Sequence, residues 1–133
     1  MATLASLMTV PGALAAFEFR GSGELLAHET IHSETFTVEA LDLLAHVCAA
    51  NASIAAMQAR GWESVTGMKG FYPVRESSLL GLEWSVIVSG ASREAQIAEG
   101  KDLLSPFVGV VVDNNDCDYE AAFAALETYG GER

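Results

Sequence analysis

The amino-acid sequence predicts a single α+β domain in which helices pack on a five-stranded, largely antiparallel sheet. Its 133 residues, half of them apolar, are enough to bury one core and too few for two domains. The periodic segments follow the order helix, two strands, helix, three strands, helix, without a repeat or a linker. We therefore expect residues 1–133 to form one domain, with residues 91–106 as an inserted connection between the last two strands.

The first part of the chain predicts a short helix followed by a β-hairpin. Thr3 is suited to cap a helix over residues 4–8. Apolar and polar residues then alternate on both sides of a glycine-rich turn that ends at Gly23. A three-residue loop with Gly23 in the left-handed region pairs Phe19 with Leu25, whereas a two-residue loop would pair apolar side chains with charged ones. We expect the first register, because directly opposed residues share a face of the sheet.

The next segment predicts a long helix with Thr37 as its N-cap and Gly61 at its end. Its apolar side is predicted to consist of Leu41, Leu44, Val47 and Ile54. A second feature is a stripe of small residues at spacings of three and four, which would let another backbone approach closely; it includes Ala45, Cys48, Ala49, Ala52 and Ala56. Packing on the chain's own sheet and self-association with another helix both fit this stripe, on different faces.

Three strands and a final helix are predicted in the remainder of the chain. The strand candidates are Phe71–Leu79, Trp84–Ser89 and Phe107–Asp113. The third is nearly continuous in β-branched residues, which is typical of a central strand that is covered on both faces. A helix over about residues 119–129 completes the domain.

The charge balance excludes several classes of partner. With 18 acidic and 7 basic residues, the net charge is −11, so a counterion-releasing surface for nucleic acid is absent and an anionic membrane would repel the chain. No uninterrupted run approaches the ~20 apolar residues that span a bilayer. Pro11 interrupts the apolar N-terminal segment, which argues against a secretory signal. Two distant cysteines, Cys48 and Cys117, are typical of a reduced cytoplasmic protein.

One short motif matches a catalytic pattern. His28-Glu29-Thr30-Ile31-His32 reads as H-E-x-x-H, in which His28 and His32 would bind zinc and Glu29 would activate its water. On a helix, positions i and i+4 lie about 6 Å apart. In a strand they lie about 13 Å apart, too far to share one ion. Because the predicted hairpin places His28 in a strand, we keep a zinc-dependent hydrolase as the alternative function only.

An acidic segment before the last helix invites a calcium interpretation. An EF-hand loop starting at Asp113 would need an oxygen ligand, a glycine and a glutamate at three positions where the chain has Cys117, Asp118 and Ala124. The pattern therefore fails as a calcium loop. We expect Asn115 or Asp116 to cap the last helix instead.

The only locally basic stretch contains Arg60, Lys69 and Arg75, with Glu63 as the single acid among residues 60–75. It would suit docking of an acidic partner, although charge of this kind also serves solubility alone. Neither a phosphate-binding loop nor a nucleophile elbow can be found in the sequence.

Several segments form a recognisable pattern in their order along the chain, namely Met1-Ala2-Thr3-Leu4, Val10-Pro11-Gly12, the hairpin, Cys48-Ala49-Ala50-Asn51, Gly67-Met68-Lys69-Gly70-Phe71-Tyr72-Pro73-Val74-Arg75 and Val110-Val111-Val112-Asp113-Asn114. Together they resemble a small uncharacterised prokaryotic family with a roadblock (dynein light chain)-like fold. The resemblance covers nearly the whole chain, and the Gly-Met-Lys-Gly stretch is its most specific part. The His28–His32 motif is not a hallmark of that family.

The resemblance implies a homodimer with its long helices side by side and its two sheets joined edge to edge. It also implies a non-catalytic platform of the kind that binds small GTPases, motor or signalling components, with no catalytic residue and no cofactor to carry over. Our leading hypothesis is therefore a cytoplasmic, cofactor-free, homodimeric scaffold or regulatory module. A small-ligand sensor with a pocket under residues 91–106 is a weaker third hypothesis.

Overall fold

An antiparallel sheet with helices on both of its faces is formed by residues 3–72, 74–89 and 107–131, which are the residues that the computed structural model describes. In chain order the elements are α1 (Leu4–Leu7), β1 (Ala13–Phe19), β2 (Leu25–Thr30), α2 (Val38–Thr66), β3 (Glu76–Leu80), β4 (Trp84–Ser89), β5 (Phe107–Asp113) and α3 (Tyr119–Gly131). The predicted α+β class and element order are confirmed. The expected insertion over residues 91–106, and any pocket beneath it, lie outside the described residues.

The five described strands are arranged in the order β2-β1-β5-β4-β3. β5 lies in the middle and pairs antiparallel with both β1 and β4. Its side chains alternate between two cores, Val108, Val110 and Val112 on one face and Phe107 and Val111 on the other. The continuous apolar run of this strand therefore reflects burial on both faces, as predicted.

The hairpin has the register that the sequence predicts. Phe19 pairs with Leu25, and Gly23 adopts a φ of +99°. Beyond this pair the register shifts, so that Glu18 pairs with Ala27 and one residue of β2 is left over as a bulge. The bulge was not predicted, because the sequence pattern alone continues the ladder without interruption.

The long helix starts as predicted and ends later than predicted. The Thr37 side chain caps α2 by accepting a hydrogen bond from the backbone N–H of Ala40 at 3.1 Å. The helix continues through Gly61, which had been expected to end it, and stops at Gly67, whose φ of +73° is the left-handed C-cap. Glycine only weakens a helix interior, so Gly61 did not mark a boundary.

The face of α2 that packs on the sheet consists mainly of small side chains. Its buried residues are Leu41, Ala45, Cys48, Ala49 and Ala59, and those before residue 50 pack against Phe17, Phe19 and neighbouring strand residues. Of the apolar side that the sequence predicted, only Leu41 is buried; Leu44 is half-buried, and Val47 and Ile54 are exposed. Small residues face the sheet because two phenyl rings already occupy the space beneath the helix.

The other face of the sheet is covered by α1 and α3. Thr3 caps α1 as predicted. α3 is capped by Asp118, whose carboxylate accepts the N–H of Ala121 at 3.1 Å. The prediction of Asn115 or Asp116 as its cap was therefore wrong by two or three residues, since those side chains fall within the preceding turn.

A buried hydrogen bond joins α3 to the sheet. The hydroxyl of Tyr129 donates to the carboxylate of Glu18, which explains how a charged residue of β1 is tolerated in a buried position. Burial also raises the pKa of the Tyr129 hydroxyl. The last turns of α3 are thereby fixed against the centre of the sheet.

α2 is long and apolar enough, by length and composition, to cross a membrane; the mean hydropathy of its most apolar window is 1.5. The sequence alone did not predict this property, because polar residues interrupt the apolar run of α2. One side of α2 packs on the sheet of the same chain, and a spanning position would remove it from that core. Only 22% of the window is buried, so most of this apolar helix surface faces outward.

Candidate protein-interaction surface

The outer strand β3 ends in two exposed leucines, Leu79 and Leu80, which follow the polar residues Glu76, Ser77 and Ser78. Among the described strands it pairs with β4 alone, in an unbroken antiparallel register from Glu76 to Leu80. Leu80 is 69% exposed, and Leu82, in the turn that follows, is 97% exposed. The strand is shorter than the predicted Phe71–Leu79, because residues 71 and 72 donate their N–H groups to a side chain of α2 and not to a strand.

An open groove of about 580 Å³ lies between α2 and this edge. It is lined mainly by apolar side chains, namely Leu44, Val47, Leu79, Leu80, Leu82, Trp84 and Val86, together with Gly81 and Glu83. Because the small side chains of α2 face the sheet, the larger side chains of this helix, Leu44 and Val47, lie at the rim of the groove.

Asn114 holds the turn that borders the groove. Its side-chain Nδ2 donates to the carbonyl of Gly81 at 2.8 Å, and its backbone N–H donates to the carbonyl of Glu83 at 3.0 Å. Its Oδ1 accepts from the hydroxyls of Ser85 and Tyr119. Leu82 is thus presented to solvent on a turn whose backbone is hydrogen-bonded from both sides.

The opposite edge of the sheet is unsuited to pairing with another strand. β2 contains the bulge beside Leu25 and carries the exposed side chains of His28 and Glu29. Bulges and charged side chains are the usual means by which an edge strand avoids other chains. Of the two edges of the described sheet, only β3 pairs without a bulge, and it ends in the exposed leucines Leu79 and Leu80.

The outer side of α2 is apolar as well. Leu43, Val47, Ile54 and Met57 are all exposed. Their spacings of four, seven and three residues place them on one face of the helix, opposite the face that packs on the sheet. α2 therefore has two apolar faces, of which the chain itself covers one.

The small-residue stripe lies mainly on the covered face. Ala45, Cys48 and Ala49 are buried against the sheet of the same chain, while Ala52 and Ala56 are half-buried. Burial raises the pKa of the Cys48 thiol to about 12. Three of the five residues predicted for self-association therefore pack on the sheet of their own chain. The side chains that another copy could contact are the larger ones that line the groove and the outer face of α2.

The sequence did not predict that Leu80, Leu82 and Trp84 belong to this surface. The succession Leu79-Leu80-Gly81-Leu82, with apolar residues around a glycine turn, could have indicated it.

The three cations predicted for docking have different surroundings. Arg75 forms an ion pair with Glu127, with 3.1 Å between Nη2 and Oε1. The guanidinium of Arg60 lies 5.7 Å from the centroid of the Tyr72 ring. Lys69 is exposed in the loop that follows α2.

Glu63 organises that loop, a role that the sequence did not predict. Its Oε2 accepts the backbone N–H groups of Gly70, Phe71 and Tyr72 at 3.1, 3.0 and 2.9 Å. These hydrogen bonds, that of Tyr72 foremost, hold the pKa of the Glu63 carboxyl below its usual value, and the nearby Lys69 charge adds to them. The Gly-Met-Lys-Gly stretch is thus a turn that wraps around one carboxylate.

The H-E-x-x-H motif does not form the arrangement that zinc hydrolases need. His28 lies in β2 and His32 follows the end of that strand, where its backbone N–H donates to Thr30. Extended backbone separates the two imidazoles, whereas successive turns of a helix would bring them together. Among the described residues, no group of three His, Cys, Asp or Glu side chains is placed to hold a metal ion.

The chain matches a protein family over most of its length. A family described as "Uncharacterized conserved protein (DUF2173)" matches residues 3–99, which is well over half of the chain. A comparison with curated proteins gives no match.

Solved structures confirm the roadblock-like fold. A Roadblock/LC7 domain from Streptomyces avermitilis superposes with a TM-score of 0.72 at 11% identity, covering 97% of this chain and 89% of that chain. The gliding protein MglB from Thermus thermophilus gives 0.63 at 17% identity, covering 96% and 79%. A structure described as MglB with tetrameric arrangement gives 0.64 at 17% identity, with the same coverage. At these identities the likeness concerns the fold.

Proposed function

We propose that this chain, which belongs to the DUF2173 family of uncharacterized conserved proteins, is a non-catalytic, homodimeric regulatory module that binds other proteins in the cytoplasm and needs no cofactor. The observation that carries the proposal is the unbroken edge of β3, which ends in exposed leucines beside an open groove. Such an edge invites pairing with another chain, and stable monomers normally avoid it.

A second copy of the chain fits this edge best. Two β3 strands can pair antiparallel about a two-fold axis, which joins two sheets edge to edge and brings the two α2 helices side by side. Leu80 and Leu82 would then leave water, and burial of a leucine side chain contributes about 1.5–3 kcal/mol. The tetrameric arrangement described for one MglB structure supports self-association of this fold.

A partner protein would bind the outer face of α2. Leu43, Ile54 and Met57 point away from the sheet, so they remain accessible when two sheets join at their edges. In the dimer the outer faces of two helices would form one apolar platform. Small GTPases and signalling or motor components are the partner classes that a roadblock fold suggests, and the description of MglB from Thermus thermophilus as a gliding protein agrees with a motility-related role.

The dimer is tested by sedimentation of the wild type and of Leu80→Lys and Leu82→Lys at micromolar concentration. We expect the wild type to sediment as a dimer and both variants to shift to monomers, because a lysine at either position would be buried without a partner charge. Ile31→Lys is the matched control, since Ile31 is 64% exposed and lies beyond the other edge of the sheet.

A monomeric wild type at these concentrations would contradict the proposal. So would a dimer that Leu80→Lys leaves intact, because the free edge of β3 would then not be its interface. Circular dichroism on each variant checks that the lysine leaves the fold unchanged.

A further inference from the structure

The groove beside β3 is open in a single chain, although its lining is mainly apolar. Leu82 is 97% exposed, Leu80 is 69% exposed and Trp84 is 46% exposed. Of the described residues that line the groove, Glu83 alone is charged. A surface that fills this groove should therefore offer apolar side chains together with a cation.

The residues that follow α2, 67–72, carry that combination, and we call them the α2–β3 loop. Met68 is 60% exposed and Phe71 is 55% exposed. Lys69 lies between them in the sequence and is exposed as well. The carboxylate of Glu63 accepts the N–H groups of Gly70 and Phe71, so the loop is held in one shape by its own chain. A loop fixed in this way need not be ordered on binding, which removes part of the cost of association.

The hydrogen bonds of β3 show which of its residues face the free edge. The N–H of Gly81 donates to the carbonyl of Trp84 at 3.0 Å, and the register continues from this pair into the strands. Along an antiparallel strand, residues bond alternately to one neighbour and to the other. Residues 76, 78 and 80 therefore present their N–H and C=O groups to the free edge. A second copy can pair with these groups about a two-fold axis through the middle of β3.

Antiparallel pairing about this axis would set the α2–β3 loop of one copy beside the groove of the other. In one chain the two lie at opposite ends of β3, because the loop precedes Glu76 and the turn with Leu82 follows Leu80. A two-fold axis brings the first end of one strand to the last end of the other. The loop leaves α2 directly, and Leu44 and Val47 of α2 line the groove, so loop and groove belong to the same face of the sheet.

We infer that the α2–β3 loop of each copy closes the groove of the other copy. Met68 and Phe71 would contact Leu82 of the other copy, and Lys69 would pair with its Glu83. A second copy is the occupant because loop and groove match in apolar character and in the sign of their charges. This inference rests on the proposed dimer and extends it, since strand pairing alone would leave the groove without a cover.

The test exchanges the two charges between copies. In a homodimer of Lys69→Glu or of Glu83→Lys, like charges would face each other at both contacts, and we expect the dissociation constant to rise about fivefold or more. In a mixture of the two variants, the heterodimer pairs opposite charges at both contacts. Its dissociation constant should therefore return to within about twofold of the wild-type value. Sedimentation of a fluorescein-labelled trace of one variant with increasing amounts of the other measures it.

Arg20→Glu and Glu29→Lys are the matched controls. They make the same two changes of charge near β1 and β2, on the side of the described sheet away from β3. Each should dimerise within about twofold of the wild type, and mixing them should have no further effect. Equal effects of Lys69→Glu and Arg20→Glu would contradict the inference, and so would a mixture of Lys69→Glu and Glu83→Lys that associates as weakly as its components.

The fluorescence of Trp84 reports directly on the groove. The chain has two tryptophans, so Trp62→Phe leaves Trp84 as the single emitter. Acrylamide quenching of Trp84 should be largely lost when this variant dimerises, and the further change Phe71→Ala should restore it. Quenching that persists in the dimer, or that Phe71→Ala leaves unchanged, would contradict the inference. Protection of Trp84 by phosphatidylcholine vesicles, without any protection on dimerisation, would assign the groove to acyl chains and would also contradict it.

The results distinguish this inference from the proposed dimer on which it rests. A wild-type dimer that Leu80→Lys dissociates, but whose Trp84 is quenched as in the monomer, contradicts the closing of the groove and leaves the dimer in place. A monomeric wild type contradicts both.

Discussion

Phe17 and Gly109 lie opposite each other on β1 and β5, and the ring of Phe17 occupies the space that a side chain at position 109 would need. A Cβ atom placed on Gly109 would lie only 2.7 Å from Cζ of Phe17. The same ring stacks on Phe19, whose ring stacks in turn on Phe107, with centroids 5.5 and 5.4 Å apart. A glycine in the central strand therefore makes room for a row of three rings beneath α2.

Gly109→Ala is expected to lower the free energy of unfolding by about 1–3 kcal/mol, because the added methyl group displaces the Phe17 ring from a packed core. Urea unfolding followed by circular dichroism measures the change. A neutral effect would mean that the ring moves freely, in contradiction to the packing described here.

Gly61→Ala is the matched control for that substitution and is expected to act in the opposite direction. Gly61 lies inside α2, and a Cβ atom there would have no heavy atom within 4 Å. Alanine should stabilise the protein by about 0.5–1 kcal/mol, since it removes the entropic cost of a glycine in a helix. A destabilised Gly61→Ala protein would contradict the continuous course of the helix through this position.

Glu63→Gln is expected to destabilise the protein at neutral pH and to lose this effect in acid. The pKa of Glu63 is lowered in the folded protein, chiefly by the hydrogen bond from the N–H of Tyr72. Folding therefore stabilises the carboxylate relative to the protonated carboxyl group. Its contribution is therefore fully present above the unfolded value, near 4.5, and is lost as the pH falls through the lower folded value.

Unfolding free energies of the wild type and of Glu63→Gln between pH 3 and pH 7 test this expectation. The two curves should converge at the acidic end. A constant difference across the range would show that the carboxylate charge has no part in holding the loop of residues 67–72.

Cys48 is expected to react with thiol reagents only when the protein opens. It is buried under α2, and burial raises its pKa to about 12, so almost no thiolate forms near pH 8. Cys117 is only half-buried, although burial and the charge of Asp118 raise the pKa of its thiol as well. In a labelling time course at pH 8, Cys117→Ser should remove the faster phase. Rapid labelling that persists in this variant would place Cys48 at the surface.

Short sequence patterns predicted correctly those elements whose boundaries depend only on residues adjacent in the sequence. The strands Trp84–Ser89 and Phe107–Asp113 have the predicted bounds, because alternation and β-branching show directly which residues are buried. The hairpin register follows from the pairing of Phe19 with Leu25, which depends only on the length of the turn. Family membership and the roadblock-like fold were likewise readable from segments spread along the chain.

The candidate surfaces were less predictable. The sequence identified α2 as apolar but left open which of its faces packs on the sheet, since nothing local shows that two phenyl rings already fill the space below it. It named Arg75 as a docking cation but gave no indication that this side chain forms an ion pair with Glu127, which lies 52 residues further along the chain. The hydrogen bonds of the Glu63 carboxylate were not predicted, because their donors follow seven to nine residues later, outside any helical or strand period.

The sequence by itself determined the order of the elements, the central position of β5 and the turn of the hairpin, because each depends on propensity and periodicity within a few residues. Only the tertiary structure decided which face of α2 is buried and that β3, rather than β2, is the edge without a bulge. These properties depend on contacts between residues far apart in the chain, where the volume and hydrogen bonds of one element limit what its neighbour can bury.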